Sequence, residues 1–235
     1  MESEDVVHVE QSVLSDNAQQ CLQGLLRIWF EFERSLGRVP VVQRLVSGRF
    51  SQMDYLNLLR HLRQQVIEGS RWISRGASSF DRDFSLVRSM VIGHASDEHR
   101  DYQMLEQDYV AAGGQLDEIV NGVRNTGTEA LHGFLMYRAS QKNPTDLLGA
   151  MWIIEGLGQK MASDWARRID ELLQPEKDCS SFMRYHGDND DGHMSKLYEL
   201  LDLVCTDSQR VEDIWRTARV VARLYAMQLE DVDGE

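Results

Sequence analysis

Residues 182–200 read FMRYHGDNDDGHMSKLYEL and contain three side chains of metal-ligand type at helical spacing. His186, Asp190 and His193 are separated by four and three positions, so in a helix they lie within roughly 60° of one another. A metal ion needs this convergence, because several donor atoms must reach one point. Two glycines and the run DNDD are also typical of a solvated acidic loop, which is the alternative interpretation.

A second predicted helix carries the same kind of triplet. In the sequence VIGHASDEHRDYQML, His94, Glu98 and Asp101 again follow one another by four and three positions. Asp97 and His99 flank this face, and we expect them to point to solvent. Each residue alone is typical of a hydrophilic helix surface, whereas two helices with the same triplet indicate a shared site.

Two further glutamates are candidates for the same site. Glu155 lies in the apolar sequence GAMWIIEGLGQKMA, where a carboxylate is costly to bury unless a cation or a hydrogen-bonding partner satisfies it. The alternative for Glu155 is a structural bond to an arginine or a tyrosine. Glu68 follows His61 by seven positions on one face of a predicted helix, and it either joins the metal site or forms a salt bridge with an arginine.

The chemistry of these donors narrows the choice of metal. Carboxylate oxygens mixed with imidazole, without thiolates, favour iron or manganese over a structural zinc site. A helical bundle that supplies several carboxylates and histidines has room for two ions. We expect two iron ions, Fe2+ or Fe3+, because two adjacent ferrous ions can give two electrons to dioxygen together. Among the ligands, we expect Glu155 and Asp190 also to be catalytic.

Apolar residues at helical spacing predict an all-α fold of about seven helices. Helix starts are predicted at Ser51, at Asn143-Pro144, and at Thr206 with Gln209 as a capping box. We expect the five tryptophans to lie mainly in the core, with one or two of them lining a substrate cavity. The predicted helices cover about 14–36, 51–74, 84–112, 115–122, 128–140, 144–173, 180–204 and 206–229.

Composition excludes several classes of protein. A net charge of −13 argues against a nucleic-acid partner and against docking on anionic membranes. Three dispersed cysteines and an acidic N-terminus without signal-peptide features favour a cytoplasmic protein, and no apolar run is long enough to span a membrane. We expect a single domain, folded over about 10–229, with frayed ends at 1–9 and 230–235.

The motifs resemble those of the haem-oxygenase-like di-iron oxidases, relatives of the thiaminase-II and pyrroloquinoline-quinone C proteins with a seven-helix fold. The resemblance extends over about 20–229. HGDNDDGH matches the family's H-x3-D-x2-H, and Glu155 matches a metal-binding glutamate about thirty residues upstream. In DEHRDYQMLEQDYVAAGG the family's E-x2-H begins at Glu98 but has Asp101 where histidine is expected. His94 is a candidate for the missing imidazole.

This resemblance implies an O2-dependent enzyme with two iron ions. Similar enzymes N-oxygenate amines, or cleave amino acids or fatty acids to products such as nitriles and alkenes, often in the biosynthesis of specialised metabolites. We expect an amino acid or an amine as the substrate. The resemblance also admits an external electron donor and a homodimer.

Two alternatives come from other classes of function. A metal-free enzyme on the same fold would perform thiaminase-like hydrolysis or oxidise a cofactor ring. A thiaminase needs a nucleophilic cysteine beside an acid, but Cys179 falls near a predicted break, and Cys21 and Cys205 are expected in the core. In a non-catalytic helical binding protein, the acidic triplets would be solvated faces and Glu155 a structural ion pair.

Overall fold

Every regular element is helical within residues 14–233, the part of the chain that the computed structural model describes, with the backbone alone for 189–194. No helix in this part combines the length and the apolar character needed to cross a bilayer. The α-helices are α1 Asp16–Leu36, α2 Pro40–Val46, α3 Gln52–Val66, α4 Gly69–Ser79, α5 Ser85–Asp97, α6 Tyr102–Ala111, α7 Leu116–Val120, α8 Thr126–Ala139, α9 Leu147–Leu157, α10 Ser163–Leu173, α11 Ser181–Val204 and α12 Ser208–Glu230.

The described residues form twelve α-helices, more than the seven or so that were predicted, because three of the predicted helices are interrupted. Two residues separate α3 from α4, a 3-10 turn at Glu98–Arg100 precedes α6, and a π-helical segment at Gly158–Ala162 joins α9 to α10. If each interrupted pair is counted as one, these three pairs together with α1, α8, α11 and α12 are the long helices, and α2 and α7 are short connecting helices. Such departures from α-helical geometry often occur at functional sites.

Several predicted boundaries are confirmed by local chemistry. The Ser51 hydroxyl accepts a hydrogen bond from the Asp54 amide while the Asp54 carboxylate accepts one from the Ser51 amide, which forms a capping box at the start of α3. Gly113 follows α6 with a φ of +97°, where an L-residue is strained. Gln174 ends α10 in the left-handed region, immediately before Pro175.

Two predicted helix starts are wrong. Asn143 has a φ of +48° and its side chain bonds Asp81, so the helix begins later, at Leu147. The last helix is capped by Asp207, whose carboxylate accepts from the Arg210 amide, and not by Thr206. At α12 the neighbouring Asp207 takes the capping role that the motif gave to Thr206, whereas the Asn143 side chain is engaged by Asp81 and does not cap a helix.

The described chain continues past α12 in a short 3-10 turn. After α12 a 3-10 turn spans Asp231–Asp233, where Val232 is buried and the carboxylate of Asp233 pairs with Arg44 at 2.6 Å. Val232 and Asp233 therefore tie the end of the described chain to the rest of the fold. Residues 1–13 and 234–235 lie outside the described part of the chain.

Helix α12 lies at the centre of the core and positions the site. It packs against α1, α8 and α9. A Cβ on Gly149 would come within 2.2 Å of the Ile214 carbonyl oxygen, so only glycine allows α9 to approach α12 this closely. This approach fixes the position of α9, which carries Glu155.

Candidate metal centre

One group of possible ligands forms where α5, the following 3-10 turn and α9 meet. His94 is in the last turn of α5, Glu98 begins the 3-10 turn, and Glu155 is near the end of α9. His94 Nε2 lies 3.2 Å from Glu155 Oε1. One donor atom of each residue lies within 4.8 Å of the others, so His94, Glu98 and Glu155 converge on one point.

A second group shares one carboxylate with the first. Glu98, Asp101 and His186 offer donor atoms that also lie within 4.8 Å of one another, and His186 Nε2 lies 3.3 Å from Asp101 Oδ2. His186 comes from α11, one turn after its start. Glu98 therefore stands between the two groups, as a carboxylate that bridges two cations would.

The distances fit metal coordination. Donors of one ion lie at most about 4.4 Å apart when the metal–ligand bonds are about 2.2 Å long. Side-chain shifts of a few tenths of an ångström would therefore close either group around a cation. Both groups mix carboxylate with imidazole and contain no thiolate, which suits iron or manganese.

Helix interruptions explain why these donors converge. A 3-10 turn replaces α-helix at Glu98, so Glu98 and Asp101 do not follow the straight-helix geometry that the sequence predicted. After Glu155, the backbone widens into the π-helical segment. A Cβ on Gly156, beside the glutamate, would lie only 3.0 Å from the ring of Trp29, so glycine at this position lets the indole pack closely against α9.

Burial makes the centre electrostatically strained without a cation. Desolvation, and then the negative charge of Glu155, raise the pKa of Glu98 from 4.5 to about 7, against the opposing effect of His94 and His186. Because like charges are held close in a poorly hydrated place, a proton or a metal ion is favoured there.

A cavity of about 90 Å³ adjoins the centre. Glu98, Glu155 and His186 form part of its wall, and two of the five tryptophans, Trp72 and Trp165, line it as expected. Most of the remaining wall is aliphatic or aromatic. A small molecule in this cavity would contact the ligand groups directly.

The structure brings both residues that were candidates for the missing histidine ligand into the centre. Asp101 is beside His186, whereas His94 is beside Glu155. Two other predicted ligands, Asp190 and His193, have side chains outside the described residues. Our proposal that they bind metal therefore rests on their spacing.

Glu68 is the predicted ligand that the structure puts elsewhere. Its Oε1 accepts from Arg124 at 2.7 Å and from Arg71 at 2.9 Å, and among the described residues neither ligand group includes it. The alternative for Glu68, a salt bridge with an arginine, is therefore what forms. Glu68 lies between α3 and α4, and its carboxylate pairs with Arg124 in the segment before α8.

Surface residues and cysteines behave as predicted. Asp97 and His99 are exposed, and Asp97 pairs with Lys196 at 3.1 Å. All three cysteines are buried, none lies among the described residues that line the cavity, and burial raises the pKa of Cys179 to about 11. A thiol that holds its proton this firmly is a poor nucleophile.

Two polar residues of the cavity wall were not predicted from the sequence. Gln65 of α3 and Tyr225 of α12 line the cavity, and the Tyr225 hydroxyl donates to Gln65 Oε1 at 3.3 Å. For Gln65 the available signal was a polar residue one turn from Leu62 and two turns from Leu58 on an apolar helix face, which is weak because single glutamines are common there.

Comparison with known proteins supports the fold and the metal type. A family model described as iron-containing redox enzyme, of haem-oxygenase-like type, matches residues 90–226. A domain of unknown function with a haem-oxygenase-like fold from Shewanella denitrificans OS217 superposes with a TM-score of 0.82 at 18% identity, covering 91% of this chain and 90% of that one.

Two TenA homologues are also similar in structure. The one from Pseudomonas syringae pv. tomato DC3000 has a TM-score of 0.71 at 13% identity and covers 95% of each chain. The one from P. horikoshii OT3 has a TM-score of 0.65 at 14% identity, covering 94% of this chain and 98% of that one. No curated protein matches the sequence. At these identities the structural matches show the fold alone.

Proposed function

The chain belongs to the family of iron-containing redox enzymes, and from that premise we propose that it binds two iron ions and uses O2 to oxidise a small organic molecule. The observation that carries this proposal is the pair of ligand groups that share Glu98. A site for one ion would need no second group with its own histidine.

Different residues would bind each of the two iron ions. His94 and Glu155 would hold one iron, Asp101 and His186 the other, and Glu98 would lie between them. We propose Asp190 and His193, on the same helix as His186, as further ligands. Iron bound there would supply the electrons for O2 reduction.

Apolar walls keep this chemistry away from bulk water. The cavity that Glu98 and Glu155 border is also lined by Leu62, Ile73 and Leu157. Excluding water from a redox site limits side reactions and strengthens electrostatic interactions within it. Our preferred substrate class is an amine or an amino acid, oxidised at nitrogen or cleaved at a carbon–carbon bond.

Anaerobic titration with ferrous iron, followed by O2, tests the proposal. We expect about two irons per chain, and a transient iron absorbance after O2 that a non-catalytic binding protein or a thiaminase-like hydrolase would lack. His186→Gln should lower iron content and O2 consumption by at least about tenfold. The matched variant His99→Gln changes an exposed histidine of the 3-10 turn and should leave both unchanged. Full iron content in His186→Gln would refute the ligand assignment.

A further inference from the structure

The cavity wall away from the ligand groups is neutral. Of the described lining residues, the only acidic ones are Glu98 and Glu155, and none is a lysine or an arginine. Arg63, on the helix that contributes Gln65, is turned away and pairs with Glu106 at 2.7 Å. A charged group placed here would lose its hydration without gaining a counter-ion.

Gln65 and Tyr225 are the polar exception in this wall. They belong to α3 and α12, and neither helix contributes a donor to the two ligand groups. Both side chains are buried, and the tyrosine hydroxyl donates to the glutamine. Burial raises the pKa of Tyr225, which keeps the phenol neutral. The pair can exchange hydrogen bonds with an uncharged group but cannot neutralise an ion.

We infer that the substrate has an apolar body that carries no charge beyond the group facing the metal ligands, and that its far end is apolar or has one neutral hydrogen-bonding group received by Gln65 and Tyr225. This inference rests on the proposed function and narrows it. It admits simple amines and amino acids with apolar or hydroxylated side chains. It excludes diamines, dicarboxylates and amino acids with a charged side chain.

A matched set of ligands tests the inference. Pentan-1-amine, 5-aminopentan-1-ol, pentane-1,5-diamine and 5-aminopentanoate share one amine and one carbon chain, and they differ only at the far end. Their affinities for the iron-loaded protein are measured anaerobically by calorimetry. Tryptophan fluorescence, to which Trp72 and Trp165 in the cavity wall contribute, is a second reporter.

The expected order of the four affinities follows from the neutral lining of the cavity. The amino alcohol should bind about fivefold more tightly than the alkylamine, because it gains one neutral hydrogen bond. The diamine and the aminocarboxylate should bind at least about thirtyfold more weakly than the amino alcohol, because each buries an unpaired charge. Comparable affinity of either charged compound, or no measurable binding of the amino alcohol, would overturn the inference.

Variants test whether Gln65 and Tyr225 cause the tighter binding of the amino alcohol. Gln65→Leu and Tyr225→Phe should each remove the advantage of the alcohol over the alkylamine, while Gln107→Leu, at an exposed position of α6, should retain it. An advantage that persists in both cavity variants would contradict the assignment.

Iron content is measured in every sample, and the titrations are repeated without iron. Absence of iron would refute the proposed function, whereas the order of the four affinities tests the substrate class separately.

Discussion

Replacing Glu98 by glutamine should stabilise the metal-free protein above neutral pH. The pKa of this carboxyl rises from 4.5 to about 7, chiefly through burial and then through Glu155. Its Oε1 atom is shielded from solvent even though the residue as a whole is half-buried. At 1.36 kcal/mol per pKa unit, ionising Glu98 in the folded state costs up to about 3 kcal/mol.

The sign of the effect follows from proton binding. Below pH 4.5 the carboxyl is protonated in both the folded and the unfolded state, so it adds no pH dependence. Between 4.5 and about 7 the folded state keeps the proton that the unfolded state loses, and the free energy of unfolding falls as pH rises. Above about 7 the whole penalty is present. Glutamine carries no charge and removes it.

Urea unfolding with a metal chelator, followed by circular dichroism, measures this prediction. Relative to wild type, Glu98→Gln should be more stable by up to about 3 kcal/mol near pH 8 and should differ little near pH 4.5. Glu212→Gln, at an exposed position of α12, serves as the control and should match wild type at both. Equal pH dependence of wild type and Glu98→Gln would refute the reasoning. Ferrous iron should reverse the order of stability, because it binds the wild-type carboxylate.

Two further predictions concern packing and burial. Gly187→Val should lower the free energy of unfolding by about 2 kcal/mol and weaken iron binding by the neighbouring His186, because a Cβ would lie 1.9 Å from Ser163 Oγ. Gly133→Ala, where a Cβ would meet nothing within 4 Å, should do neither. An unaltered iron titration of Gly187→Val would contradict this prediction. His61 is buried and neither ring nitrogen has a hydrogen-bond partner among the described residues, so His61→Leu should add about 1 kcal/mol near pH 8. Burial lowers the pKa of His61 from 6.5, so wild type should also lose stability as pH falls below 6.5, whereas the variant should not. The free energy of unfolding is measured in urea near pH 8 and below pH 6.5. A variant that is less stable than wild type in both conditions would contradict this prediction.

The sequence predicted the helical units well where local signals agree. The capping box at Ser51 and the glycine at 113 mark helix ends because hydrogen bonds within a few residues decide them. At Asn143 the same kind of signal failed, because Asp81, distant in the sequence, binds its side chain. A local motif cannot report a partner that only the tertiary fold brings near.

In the candidate site too, residues with a local spacing signal were predicted, whereas contacts that depend on the tertiary fold were not. Spacing identified His94, Glu98 and Asp101 even though the helix changes into a 3-10 turn at Glu98. His94 and Glu98 are four apart along the α-helical part, and Glu98 and Asp101 are three apart, a spacing that stays on one side in a 3-10 turn as well. Spacing could not tell that Glu68 faces Arg124. The hydrogen bond between Tyr225 and Gln65 also could not be predicted from spacing, because it depends on how α3 and α12 pack together.

The most direct test of the two-iron centre is a crystal structure of the protein loaded anaerobically with ferrous iron, with anomalous scattering recorded at the iron edge. We expect two iron peaks, one bound by His94 and Glu155, the other by Asp101 and His186, with Glu98 between them. No iron peak at these side chains, or iron bound only elsewhere on the chain, would contradict the account.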